Sequence, residues 1–129
     1  MQDPLFLVKR MYDRFGIAYD GAPRHLSVEE KRFRFVCLSE EVMEYLLADD
    51  IVDEYDALLD LIVFALGTMV RQGLPLDGLV EVIACNMKKE LGPLGKRGGF
   101  ELDLRKPEGW VEPNLQQFIE RARIEHDNS

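Results

Sequence analysis

Positive charge is in short supply in this chain. Its 16 Lys and Arg stand against 24 Asp and Glu, a formal net charge of -8. A surface for nucleic acid or anionic membrane would need clustered cations, so neither partner is expected. A phosphate-bearing small molecule remains compatible if metal ions mediate, because two divalent ions would offset roughly four of those charges. Cysteine is scarce as well. Cys37 and Cys85 fall in apolar helical patterns and read as reduced core thiols, not as a disulfide framework. His25 and His126 have no partner at ligand spacing and read as surface residues. No apolar run is long enough for a membrane span, since Asp60, Arg71 and Gln72 interrupt the best stretch. Residues 1 to 15 mix Asp3, Lys9, Arg10, Asp13 and Arg14 into their apolar positions, which is not the pattern of a signal peptide. The expected location is the cytoplasm, or the host cytoplasm for a viral protein.

What is present is helix. An apolar fraction of 47% over 129 residues suits one globular domain spanning residues 1–129. A first helix is expected from Pro4 to Phe15, with Asp3 as N-cap and Gly16 as its end. Ser27 to Glu30 matches a capping box that starts a second helix running to about Ala48. A third runs from near Asp50 to Gly73 with Pro75 beyond, and a fourth from about Asp77 to Glu90 before Gly92-Pro93. Residues 92 to 113 are a Gly-rich loop, with a short strand expected at 100 to 104, where apolar and charged residues alternate. Asn114 to Gln117 matches another capping box, opening a last helix that frays near His126. The fold class is all-α, four or five helices with a Gly-rich excursion. The third helix is apolar almost all round between Leu58 and Val70, so a helix buried on every side is expected. A chain this short scarcely surrounds such a helix alone, which points to an obligate homo-oligomer, a homodimer or a dimer of dimers.

The acids of the second and third helices carry the functional signal. At about 100° per residue, Glu40, Glu41 and Glu44 fall at about 0°, 100° and 40° on their helix. Asp53, Asp56 and Asp60 fall at about 0°, 300° and 340° on the next, again a narrow arc. A short connection near residues 49 to 52 makes the two helices antiparallel neighbours, so the arcs can meet. Solvated surface is a fair account of Glu40 or Asp53 taken singly. It fails at Asp56 and Asp60, whose neighbours are Ala57, Leu58, Leu59, Leu61 and Ile62. Facing carboxylates need a cation between them, and hard oxygen ligands suit Mg²⁺, with Mn²⁺ as a substitute.

At these residues the chain resembles the MazG-like, all-α nucleoside triphosphate pyrophosphohydrolases. That family carries E-E-x-x-E on one helix and E-x-x-D on the next. Glu40, Glu41 and Glu44 match the first motif, and Asp60 matches the Asp of the second. The motif Glu would fall at position 57, which is Ala. Asp56 one residue earlier, or Asp53 with Asp56 as a D-x-x-D version, would then supply the oxygen. Asn86-Met87-Lys88-Lys89 resembles the N-M-x-K segment of a subgroup. Lys106-Pro107-Glu108-Gly109-Trp110 followed by Pro113 resembles that subgroup's K-P-x-G-W…P tail. The overall texture is closest to phage-type members, some of which, the MazZ proteins, clear dGTP and dATP.

The resemblance implies hydrolysis of a nucleoside triphosphate at the α-phosphorus, with two or three Mg²⁺ ions on Glu41, Glu44, Asp56 and Asp60. Glu40 is then the expected general base, and Lys89 the catalytic cation beside the departing pyrophosphate. Asn86, Lys88, Lys89 and Lys106 are expected at the phosphates or sugar, with Arg97 in the same loop as Lys106. Phe6, Arg10, Phe33, Arg34 and Cys37 are candidates for the base pocket, with Arg34 taken as a substrate contact. Trp110 reads as an anchor for the C-terminal segment. Two other readings stand beside this one: a phosphoribosyl-ATP pyrophosphohydrolase, and a non-catalytic helical module disabled by Ala57.

Overall fold

The computed structural model describes residues 1–92 and 100–129. Residues 93 to 99, and with them Arg97, lie outside the described residues. Among the described residues, five helices and one two-stranded ladder follow in the order α1 (Pro4–Arg14), α2 (Val28–Leu47), α3 (Ile51–Gln72), α4 (Gly78–Asn86), β1 (Glu90–Leu91), β2 (Leu104–Arg105) and α5 (Gln116–Asp127). The fold is all-α, as the periodicity predicts. The chain divides into two compact units, residues 1–75 with 122–129, and residues 76–121.

In the first unit α3 packs against both α2 and α1. Side chains cap three helix starts, and at Asp3 and Ser27 the caps are those the sequence predicts. Asp3 accepts from the Leu5 N–H, Ser27 Oγ from Glu30 N–H at 3.1 Å, and Asp50 from Asp53 N–H at 2.8 Å. The reciprocal half of the Ser27 capping box is diverted. Arg71 of α3 donates through Nε to Glu30 Oε2 at 2.7 Å and through Nη2 to Glu30 Oε1 at 2.9 Å. Its Nη1 donates to the Ile17 carbonyl at 2.7 Å. A bidentate guanidinium outcompetes a backbone N–H for the carboxylate. It holds Glu30 below the usual carboxylate range, mainly by that hydrogen bond.

The core of the first unit is Val8 and Tyr12 from α1, Cys37 from α2, and Ala57, Leu66 and Val70 from α3. Two glycines, one within α3 and one at its end, meet different needs. Gly73 ends α3 in the left-handed region at φ 67°. At Gly67 an added Cβ would lie 1.9 Å from the Tyr12 hydroxyl oxygen. The expectation that α3 is buried on every side fails within the single chain. Leu58, Leu59 and Ile62 are 43%, 42% and 53% exposed, because α1 and α2 leave part of its circumference uncovered.

The second unit departs more from its sequence pattern. α4 ends at Asn86, earlier than expected, because Lys88 N–H and Lys89 N–H turn back to the Cys85 and Asn86 carbonyls. Glu90 and Leu91 then pair antiparallel with Arg105 and Leu104. The strand expected over residues 100 to 104 survives only at Leu104, since Asp103 N–H closes a turn on the Phe100 carbonyl and the Asp103 carboxylate caps Leu104 N–H. α5 begins two residues after Asn114, whose N–H goes to the Glu81 carboxylate at 3.3 Å. Both cysteines are free, Cys37 buried and Cys85 half-buried. Among the described residues no helix is long and apolar enough to cross a membrane.

The Gly67 contact generates a test. A Gly→Ala change inside a helix ordinarily stabilises by about 1 kcal/mol, whereas overpacking costs about 1–3 kcal/mol. The 1.9 Å approach makes the second effect win. Gly67→Ala should therefore lower stability in urea denaturation by about 1–2 kcal/mol, and part of the loss should be recovered in the Tyr12→Phe background. A Gly67→Ala protein more stable than the parent refutes this packing.

Candidate active site

Only residues 48 to 50 separate α2 from α3. The C-terminal half of α2 therefore runs beside the N-terminal half of α3, and this is where the acids are. Ala57 is 2% exposed and Glu41 is 8% exposed. Glu44 and Asp56 are exposed, and Asp60 is half-buried. The alanine at position 57 thus occupies core, where a longer acidic side chain would have to be accommodated between packed helices.

Glu41 is the electrostatic centre. Burial first, then the hydrogen bond and charge of Glu44, then the charges of Asp60 and Asp56, push its carboxyl up to about 7. Asp60 is also raised, by burial and then by Asp56 and Glu44. Four acids picked out by helical spacing, Glu41, Glu44, Asp56 and Asp60, therefore feel one another in the folded chain. Among the described residues no cation offsets the charge at Glu41 or Asp60. The Glu41 Oε2 atom is buried with no hydrogen-bond partner. An orphaned acceptor beside three more carboxylates is a donor set of hard oxygens, and it fits a divalent cation such as Mg²⁺. As the side chains stand, no three His, Cys, Asp or Glu among the described residues are drawn together closely enough to enclose an ion.

Beside this group lies a cleft of about 370 Å³ lined by Met43, Glu44, Leu47, Ala48, Asp53 and Asp56. Asp53 thus shares a cleft with two of the four acids. Glu40 lies on the exposed edge of α2.

Arg34, expected at the substrate, is buried at 6% exposure. Its Nη1 donates to the Tyr12 hydroxyl at 2.6 Å, and its Nε is buried without a partner. The signal was available in the spacing. Arg34, Cys37 and Glu41, at i, i+3 and i+7, form the one buried stripe of α2. Of the other base-pocket candidates, Phe6 and Phe33 are 52% and 59% exposed.

Asn86, Lys88, Lys89 and Lys106 belong to the second unit. There Trp110 Nε1 donates to the Cys85 carbonyl at 2.7 Å, which anchors the C-terminal segment to α4. Lys89 Nζ and Lys106 Nζ lie 5.0 Å and 4.9 Å from the centroid of the Trp110 ring. Lys106 also pairs with Glu112 at 2.9 Å. Lys88 lines a cleft of about 420 Å³ together with Glu81, Cys85, Glu108, Trp110 and Asn114. Sequence reasoning assigned the lysines to phosphate and Trp110 to anchoring. It missed that one ring gathers two of the ammonium groups.

Residues 8–86 match the family model for phosphoribosyl-ATP pyrophosphohydrolase. No curated protein matches the chain. The matched span takes in all four acids and stops at Asn86, short of Lys88, Lys89 and Lys106. The chain belongs to the phosphoribosyl-ATP pyrophosphohydrolase family, within the MazG-like all-α superfamily. The family is one of pyrophosphohydrolases, and membership makes the chain a hydrolase acting on phosphorus anhydrides.

The raised Glu41 carboxyl has a direct consequence for metal-free protein. The folded state holds a proton on Glu41 up to about pH 7, whereas an unfolded glutamate releases it near its ordinary 4.5. This contribution to stability is fully present below about 4.5 and is lost as pH rises to about 7. Metal-free Glu41→Gln protein should therefore melt higher than the parent at pH 8, with a smaller difference at pH 5. Mg²⁺ should raise the parent's Tm more at pH 8 than at pH 6, and should raise the variant's little at either. Equal shifts in both proteins would remove Glu41 from the cation site.

Proposed function

We propose that the protein is a Mg²⁺-dependent pyrophosphohydrolase of purine deoxynucleoside triphosphates, dGTP and dATP, of the phage type, acting in the cytoplasm. What carries the reading is the buried, partnerless Glu41 oxygen in the electrostatic company of Glu44, Asp56 and Asp60. The resemblance in the acidic motifs and in the tail segment Lys106–Trp110 supports the nucleoside triphosphate substrate. The same family match supports a second reading, in which the substrate is phosphoribosyl-ATP.

Glu41, Glu44, Asp56 and Asp60 would hold the cations, with Asp53 at the rim of the adjoining cleft. The chemistry supplied there by divalent ions would be charge compensation at the phosphate oxygens and a lowered pKa for the attacking water. Glu40, exposed at the edge of the same helix face, takes the proton of that water. The water oxygen bonds to the α-phosphorus, and the bond from that phosphorus to the bridging oxygen breaks. The electron pair leaves with pyrophosphate, and a nucleoside monophosphate remains. Positioning and charge compensation supply most of what such a transfer needs, so side chains without covalent chemistry suffice.

A second copy of the chain belongs to this reading. Leu46, Ile51, Val52, Tyr55, Leu58 and Ile62 on α2 and α3 are all at least 43% exposed, and a cleft of about 370 Å³ opens among Tyr45, Ile51, Val52, Glu54, Tyr55 and Leu58. An apolar surface of this kind beside the acidic site favours a homodimer or a dimer of dimers.

Each dNTP, and phosphoribosyl-ATP, should be incubated with the protein and Mg²⁺. Pyrophosphate from dGTP and dATP is the expected product. Orthophosphate would contradict attack at the α-phosphorus, and turnover of phosphoribosyl-ATP alone would hand the site to the second reading. Glu44→Gln and Asp60→Asn should each lose roughly a hundredfold or more in kcat, the scale of several kcal/mol of charge stabilisation. Sedimentation equilibrium should give at least twice the chain mass, and Leu58→Asp with Ile62→Asp should give monomer. A parent protein that is monomeric at micromolar concentration refutes the second copy.

A further inference from the structure

The second unit contains the chain's single tryptophan, and its ring is the meeting point of two cations far apart in sequence. Lys89 follows α4 and Lys106 follows β2. Each ammonium group lies about 5 Å from the centroid of Trp110, so the two are within about 10 Å of each other. Among the described residues Lys89 has no carboxylate partner, whereas Lys106 is paired with Glu112 at 2.9 Å. Trp110 is itself fixed, since its Nε1 donates to the Cys85 carbonyl at 2.7 Å.

Bringing two like charges to one place is unfavourable unless something offsets it. The negative face of the indole does so in part, and Glu112 does so for one lysine. Neither uses the full donor capacity of two ammonium groups, which have three N–H each. An anion with several oxygens can bridge them. Pyrophosphate, or the phosphate chain of a nucleotide, carries the several anionic oxygens that this requires.

We propose that Trp110 is a positioning residue: its ring holds Lys89 and Lys106 together as a receptor for a polyphosphate anion, and Glu112 occupies Lys106 until that anion arrives. The identity of the anion rests on the pyrophosphohydrolase reading. The geometry of the receptor is that of the second unit alone.

Trp110 can report on its own surroundings, because no other indole contributes emission. The intact protein is titrated with inorganic pyrophosphate in the presence of EDTA, so that metal held by the carboxylates plays no part. A saturable change in Trp110 emission is expected. Lys89→Ala and Lys106→Ala should each weaken the apparent affinity about fivefold, the effect of losing one cation–anion contact of about 1 kcal/mol. Glu112→Gln should strengthen it. By calorimetry, Trp110→Ala should weaken pyrophosphate binding about fivefold, and Trp110→Phe, which keeps an aromatic face, should recover most of it. In turnover, Trp110→Ala should raise KM with kcat within about threefold. The proposal is overturned if emission does not respond to pyrophosphate, if the lysine variants bind as the parent does, or if Trp110→Phe is no better than Trp110→Ala. Because these titrations need no turnover, failure of the hydrolase reading leaves the pyrophosphate signal intact, and failure of the receptor leaves hydrolysis at the carboxylates intact.

Discussion

A carboxylate taken out of water among other carboxylates is the constraint from which the rest follows. Glu41 can stay charged in that place only with a cation beside it, and can stay without a cation only by holding a proton. The α2–α3 pair treats its two ends in opposite ways. At one end Glu30 meets Arg71 through two short hydrogen bonds, and its carboxyl is held down. At the other end Glu41, Glu44, Asp56 and Asp60 meet one another with no cation among the described residues, and Glu41 is pushed up to about 7. The compensated end fixes the helix pair.

The placement of the four acids was legible because helical period and a short connection suffice to derive it. The caps at Asp3 and Ser27 were legible for the same local reason. What could not be read was competition between partners distant in sequence. Glu30 carries the sequence mark of a capping box, yet Arg71, 41 residues on, takes its side chain. Arg34 looks like a free cation until its stripe is traced to Cys37 and Glu41, and its partner turns out to be Tyr12. In the second unit, alternation over residues 100 to 104 suggests a strand, but the Asp103 carboxylate bonds to Leu104 N–H and the backbone turns. Short polar side chains win such local contests where few packed neighbours oppose them.

Apolar surface gives a second constraint of a different kind. α3 was expected to be surrounded, and the single chain covers part of it. Large side chains that remain half in water beside an acidic cluster cost hydrophobic free energy that a partner surface would recover. The exposed apolar side chains and the acidic cluster therefore lie on the same two helices, α2 and α3.

The most direct check is anomalous scattering from crystals grown with Mn²⁺. The account predicts a peak within coordination distance of Glu41 Oε2, shared with Glu44, Asp56 or Asp60, at about the 2.0–2.2 Å expected for such hard-cation oxygen bonds. A Glu41 Oε2 hydrogen-bonded to water or protein, with no anomalous density between α2 and α3, would contradict it.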